Sequence, residues 1–200
     1  MPEELIVRHC SPTLAGIKTG NIIACHEAGA EENRDFVRYL NSILVPKGLR
    51  AMLFSRGGDR SEMIYVYRPE KLKKDLSDET AREILKKADY PVDNATHCVI
   101  KLLQRLRQNR GFPHEIGLFL GYPAVDVRGF IRHGECKCTG LWKVYESDTD
   151  QAQKMFARCR HCTKAYLQRN REGWSLSRLT IQPRQFSYHE AERLERKETA

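Results

Sequence analysis

Leu49-Arg50-Ala51-Met52-Leu53-Phe54-Ser55 and Met63-Ile64-Tyr65-Val66-Tyr67 are two runs of strand-forming residues, and Gly57-Gly58-Asp59 stands between them. Aromatic and β-branched side chains suit a pleated, half-buried surface. A Gly-Gly-Asp cluster is a reversal signal. Together they predict an antiparallel hairpin that Pro69 ends, since proline has no N–H to donate to a ladder.

On either side the apolar period changes from two to between three and four. Phe36, Val37, Leu40, Ile43 and Leu44 predict a helix over 33–45, stopped by Pro46 and Gly48. Ser77-Asp78-Glu79 reads as a helix start, followed by Ala81, Ile84, Leu85 and Ala88, and Pro91 breaks that helix. Asn94 or Thr96 opens the next, with Val99, Leu102, Leu103 and Leu106 on one face. Short helical pieces are expected over 114–120 and 125–131, a strand over 141–145, and the longest helix over 148–170 with Asp148 or Thr149 as its cap. The stretch 14–23, with two glycines, reads as a short extended or turn-containing element. The fold class is α+β: a small mixed or antiparallel sheet covered by several helices. One domain is expected over 1–187, with a loose division near Pro91 as the other arrangement, and a charged C-terminal tail over 188–200.

Two hundred residues with a 40 % apolar fraction are enough to build a core. No apolar run approaches the roughly 20 residues of a membrane span. The start, Pro2-Glu3-Glu4-Leu5-Ile6-Val7-Arg8, lacks the basic and apolar regions of a secretory signal, so a cytoplasmic location is expected. Thiols stay reduced there, and an odd seven cysteines point to core, metal or redox use instead of a disulfide framework. The formal charge of +8 favours anionic partners, nucleic acid included. The excess is spread over 71–74, 101–110, 128–132, 158–164 and 169–171, which is also how solvated helix faces look.

Four cysteines form two pairs, Cys136-Lys137-Cys138 and Cys159-Arg160-His161-Cys162. Two such pairs can supply the four thiolates of a zinc site. Gly134 and Gly140 flank the first pair and could turn both sulfurs inward. The second pair falls within a predicted helix, where Ala152, Met155, Cys159, Cys162 and Tyr166 share a face. Packing of small apolar thiols accounts for those two positions equally well. Arg158, Arg160, His161 and Lys164 are sequence neighbours that would favour a thiolate, but on a helix they point away from the sulfurs.

Other polar groups carry weaker signals. His9-Cys10 reads as extended, which sends the two side chains to opposite sides, with Ser11-Pro12 as a turn or helix start. His114-Glu115 is a compact pair in which His114 could ligate metal or carry a proton and Glu115 could act as a base, although a capping or buried hydrogen-bond role at the helix start is the plainer use. Position 118 is leucine, so it is not the His-Glu-x-x-His zinc motif. Arg56-Gly57-Gly58-Asp59-Arg60 joins two strands and lacks the spacing of a phosphate-binding loop.

Several stretches resemble an uncharacterised bacterial family, domain of unknown function 3793. They are residues 9–21, beginning His9-Cys10-Ser11-Pro12; Tyr67-Arg68-Pro69; His114-Glu115-Ile116-Gly117-Leu118-Phe119-Leu120-Gly121-Tyr122-Pro123; Trp142-Lys143-Val144-Tyr145; Cys162-Thr163; and Leu179-Thr180. The resemblance spans about positions 9 to 181 and implies a soluble bacterial protein with no established activity. It also implies that the positions of Cys10, Cys138 and Cys162 are usually cysteine and that of His114 histidine, whereas the position of Cys159 often is not. A site built from Cys10, His114, Cys138 and Cys162 follows, with Cys136 and Cys159 auxiliary and Glu115 beside His114. Thiolate and imidazole ligands suit zinc or iron, and a thiol redox step as well.

The expected function is therefore transition-metal binding or thiol redox chemistry at this Cys/His cluster. The alternative is a non-catalytic nucleic-acid or protein-binding module that uses its basic helices, without a membrane. A third reading, a small-molecule enzyme using His114 and Glu115, requires a cleft beside them.

Overall fold

The computed structural model describes residues 3–25, 29–57, 61–108 and 111–182. Its centre is strand β3 (Glu62–Tyr67), which pairs antiparallel with β1 (Gly20–Cys25) on one side and β2 (Arg50–Ser55) on the other. Tyr67 faces Gly20 and Arg50, and Glu62 faces Cys25 and Ser55. The hairpin legible in the sequence is β2–β3, and the sheet is antiparallel throughout.

The apolar run Met63-Ile64-Tyr65-Val66-Tyr67 has no polar alternation because both faces of β3 are covered. Ile64 and Val66 enter one core with residues of α1 (Glu3–Leu14), α2 (Ala30–Leu44) and α9 (Leu176–Leu179). Met63, Tyr65 and Tyr67 enter a second core with α3 (Pro69–Leu76), α4 (Glu79–Lys87), α5 (Ala95–Gln108), α6 (Ile116–Phe119) and α7 (Ala124–Ile131). Residues before and after Pro91, such as Leu85 and Leu102, pack in that same second core. The result is a single α+β domain with helices on both faces of a small sheet.

A small outlying ribbon pairs β4 (Cys138–Thr139) with β5 (Lys143–Val144), and α8 (Thr149–Arg171) follows it. Val144, Ala152 and Phe156 form the minor core that joins the ribbon to α8. α8 then packs along α1. Helix starts follow the capping signals: Asp78 accepts from the Ala81 amide at 3.0 Å, Asn94 from Thr96 at 2.9 Å, and Asp148 from Gln151 at 2.8 Å.

Three elements differ from the sequence expectation. Residues 3–14 are helical through Cys10-Ser11-Pro12, so His9 and Cys10 are not extended neighbours. Pro12 lies near the C-terminal end of the helix, and the Ser11 hydroxyl donates to the Val7 carbonyl of the preceding turn. Pro69 does more than stop β3: it opens α3, where a fixed φ and a missing N–H are harmless. The strand expected over 141–145 shrinks to Lys143–Val144. The tail expected over 188–200 lies outside the described residues.

Arg68, buried at the junction of β3 and α3, clasps the chain together. Its Nε donates to the Thr13 carbonyl, and its Nη2 to the Leu14 and Ile181 carbonyls, each at 2.7 Å. Carbonyls at a helix C-terminus have no partner within the helix. One guanidinium satisfies two of those of α1 and fixes the chain beyond α9.

Candidate functional site

α8 buries a narrow stripe, Ala152, Phe156, Cys159 and Cys162, at steps of three and four. The rest of its surface carries Lys154, Arg158, Arg160, Lys164, Arg169 and Arg171, against Asp150 as the helix's own acidic residue. Where α8 meets α1 a groove of about 880 Å³ opens. Its cations are Arg8, Lys18, Arg160, Lys164 and Arg171, His9 and His161 add two imidazoles, and none of its described lining residues is acidic. Arg8 is held by Glu4 at 2.8 Å. Arg160, Lys164 and Arg171 have no carboxylate partner among the described residues.

Lys18 reaches the groove because the chain turns sharply after α1. The amides of Ile17 and Lys18 both donate to the Pro12 carbonyl, at 2.8 and 3.0 Å, and Gly16 has φ +73°. The Lys18 ammonium donates to Asn21 Oδ1 at 2.6 Å and stands 5.2 Å over the Tyr122 ring. Burial lowers its pKa to about 8. Lys18, Leu141 and Cys159 also line a smaller adjoining cavity of about 210 Å³.

The thiols of this region are enclosed. Cys10 is fully buried on α1, and Cys159 and Cys162 are buried on α8. Burial pushes the Cys10 thiol up to about 12 and Cys162 to about 11, and raises Cys159 as well. Neutral thiols at neutral pH are poor nucleophiles. Cys138 lies elsewhere, in the β4–β5 ribbon against the Val144–Ala152–Phe156 core. Cys136 is exposed, with its sulfur 3.3 Å from the Cys138 carbonyl.

His114 stands at neither place. It precedes α6, its ring centroid 5.1 Å from that of Phe130 in an edge-on contact, and it lines a cleft of about 520 Å³ between α4, α5 and α7. Glu115 beside it is buried: Oε1 accepts from the Tyr90 hydroxyl at 2.8 Å and lies 3.1 Å from Arg105 Nε. That Arg105 contact is an ion pair by distance without hydrogen-bond alignment, while Arg105 Nη1 donates to the Ala88 carbonyl at 3.1 Å. Glu115 thus works as a fixed counter-charge within the fold.

Cys10, His114, Cys138 and Cys162 therefore do not share one pocket, and the auxiliary Cys136 and Cys159 do not bridge them. Among the described residues no group of three or more His, Cys, Asp or Glu side chains is placed to hold a metal ion. The physical reason is that Cys10 is buried on α1 and Cys162 on α8, Cys138 packs in the ribbon, and His114 lines a separate cleft. The basic residues of the charge-rich stretches do not gather on one face: Arg105, Arg128 and Arg132 line the His114 cleft, Lys101 is tied to Asp89 at 2.9 Å, and Arg158 sits on α8.

Three structural residues carry more than the sequence reading gave them. Asp126, buried on α7, accepts from Trp142 Nε1 and the Tyr145 amide at 2.8 Å, from the Glu146 and Ser147 amides at 2.9 Å, and from the Ser147 hydroxyl. It ties the ribbon to the domain. An aspartate between Val125 and Val127 in an apolar helix was a legible signal, as was Arg68 between an apolar strand and Pro69. Lys18 had no local signal. Its role depends on α8 arriving from the far end of the chain.

Among the described residues, no helix is long and apolar enough to cross a membrane. No curated protein and no solved structure matches the chain. A family model described as Protein of unknown function (DUF3793) matches residues 6–180, from within α1 to the end of α9, so the match covers the sheet, both cores and the basic groove. The chain belongs to that family.

Proposed function

We propose that the protein is a nucleic-acid-binding module whose groove between α1 and α8 tracks a phosphate backbone. The observation that carries this reading is the groove's charge: five cations and two imidazoles without an acidic lining residue among those described. Arg160, Lys164 and Arg171 recur along a helix of 23 residues, about 34 Å at 1.5 Å per residue. Cations on a rigid rod suit a regularly spaced polyanion, and unpaired ones release counterions on binding. Among its described lining residues the groove has no aromatic platform beyond its two histidines, so contacts would be to phosphates and largely indifferent to base sequence. The enclosed thiols need no chemistry in this reading, since they pack α1 against α8.

The test is fluorescence anisotropy with labelled single-stranded and duplex oligonucleotides of mixed sequence, read across salt concentrations. Three to four phosphate contacts predict log K falling with log salt at a slope of about −2 to −4. The double variant Arg160→Gln/Lys164→Gln should flatten the slope by about 1.5 to 2. No binding at low salt, or a slope that the double variant leaves unaltered, refutes the reading.

A further inference from the structure

Two further cavities share the His114 side chain as a wall. The first is the 520 Å³ cleft, where Arg105, Arg128 and Arg132 stand around apolar Ile84, Ala88 and Ile131. The second, about 270 Å³, is enclosed by the rings of Tyr122, Phe130, Trp142 and Tyr145. These rings meet in two groups that face the cavity: Tyr122 stacks on Trp142 with centroids 5.5 Å apart, while Phe130 meets Tyr145 at 6.2 Å and His114 edge-on at 5.1 Å. Phe130 is still 38 % exposed and Phe112, on the cleft, 41 %. Large apolar side chains left open beside guanidinium groups are what a mixed ligand requires.

The charges of the cleft are not all committed. Arg128 is paired with Glu146, and Arg105 with Glu115. Arg132 is exposed and has no ion pair among the described residues. Glu115 is turned inward to Tyr90 and Arg105, which leaves Glu83 as the carboxylate at the open rim. A guanidinium prefers the forked geometry of a phosphate or carboxylate. An aromatic enclosure prefers a flat ring with a π-face.

We infer that the two cavities form one site for a nucleoside monophosphate. The base enters the aromatic enclosure, the phosphate meets Arg132 with Arg105 and Arg128 behind it, and the exposed His114 imidazole stands between them at the sugar. This is a free small-molecule site, built from α4, α5, α7 and the ribbon, and it uses no residue of the α1–α8 groove.

The test is isothermal titration of the full chain with AMP, GMP, CMP and UMP, and separately with adenosine and with inorganic phosphate. At least one monophosphate should bind below the millimolar range, with its nucleoside and phosphate alone each weaker by about tenfold or more. Phe130→Ala and Arg132→Gln should each weaken the monophosphate by about tenfold or more while the circular dichroism of the fold is kept. Both side chains are exposed, so neither variant depends on core repacking. The proposal is overturned if none of the four monophosphates binds, if phosphate alone binds as well as the nucleotide, or if the two variants leave affinity unaltered. Arg160→Gln/Lys164→Gln should leave it unaltered, and a loss in that variant would move the site to the groove and equally overturn the proposal. Oligonucleotide binding that survives Phe130→Ala and Arg132→Gln keeps the two readings separate.

Discussion

Replacing Asp126 should loosen the β4–β5 ribbon from the domain, and the cost can be worked from its contacts. Its Oδ1 accepts three backbone amides, from Tyr145, Glu146 and Ser147, and its Oδ2 accepts Trp142 Nε1 and the Ser147 hydroxyl. In Asp126→Ala these donors lose a common acceptor inside a site that is 2 % exposed. A buried donor left unsatisfied costs about 1–3 kcal/mol, and water reaching the part-buried Glu146 and Ser147 amides offsets some of it, so a total of about 3–5 kcal/mol is expected. Asp126→Asn keeps Oδ1 but turns an N–H toward the indole N–H. The hydroxyl can rotate to accept, the indole cannot, and about 1–3 kcal/mol is expected. The acid limb follows as well. Burial alone would raise the Asp126 pKa, but the hydrogen bonds from Ser147, Tyr145 and Glu146 outweigh it and hold the carboxyl below its ordinary value. A lowered folded pKa means stabilisation that is full above the ordinary carboxylate pKa and is lost as pH falls through the folded one. The gap between wild type and Asp126→Asn should therefore narrow below about pH 4. Urea unfolding followed by tryptophan fluorescence, with amide exchange at positions 145–147, measures both effects. A loss under about 1 kcal/mol in Asp126→Ala, with those amides still protected, would refute the account of Asp126 as the ribbon's anchor.

Arg68→Met should cost about 3–5 kcal/mol in denaturant unfolding, because it removes three charge-assisted hydrogen bonds: the Thr13 and Leu14 carbonyls keep the Gly16 and Ile181 amides, and the Ile181 carbonyl loses its guanidinium donor; Arg68→Lys should recover less than half, having no fork to reach all three. A Cβ on Gly140 would collide with the Phe156 ring, which packs against Trp142 at 4.5 Å; Gly140→Ala should lower stability by about 1–3 kcal/mol and blue- or red-shift Trp142 emission as the rings move. Lys18→Met should raise stability at pH 7 by about 1–3 kcal/mol, less what the lost Asn21 hydrogen bond contributes. The folded pKa of about 8 lies below the ordinary 10.5, so the unfolded chain binds more protons between those values and wild-type stability rises there. The advantage of methionine should accordingly be full below pH 8 and fade toward pH 10.5, as thermal melts across that range would read.

Much of the architecture was readable because it is written in local patterns. The hairpin, the caps at Asp78 and Asp148, and the buried cysteine face of α8 are each set by a few neighbouring residues. The unbroken apolar run of β3 even carried the information that both sides of the sheet are covered, since a one-sided strand alternates. α1 was missed because Ser11-Pro12 imitates a helix start, whereas near a helix end proline forfeits little. The short pairing of β4 with β5 was hidden in a glycine-rich stretch with no period to read.

The sequence by itself determined which residues are apolar on which face, and therefore an α+β domain, a basic α8 and a helix face on which Cys159 and Cys162 lie together. It could not say which faces meet. Whether Cys10 lies near His114 depends on how α1, α8 and α6 dock on the sheet, and that is decided by packing between segments more than a hundred residues apart. Tertiary structure put the thiols in hydrocarbon, drew Lys18 and the α8 cations into one groove, and set His114 among aromatic rings and guanidinium groups. Burial fixes a side chain's chemistry only once its neighbours are known, and those neighbours come from the whole fold.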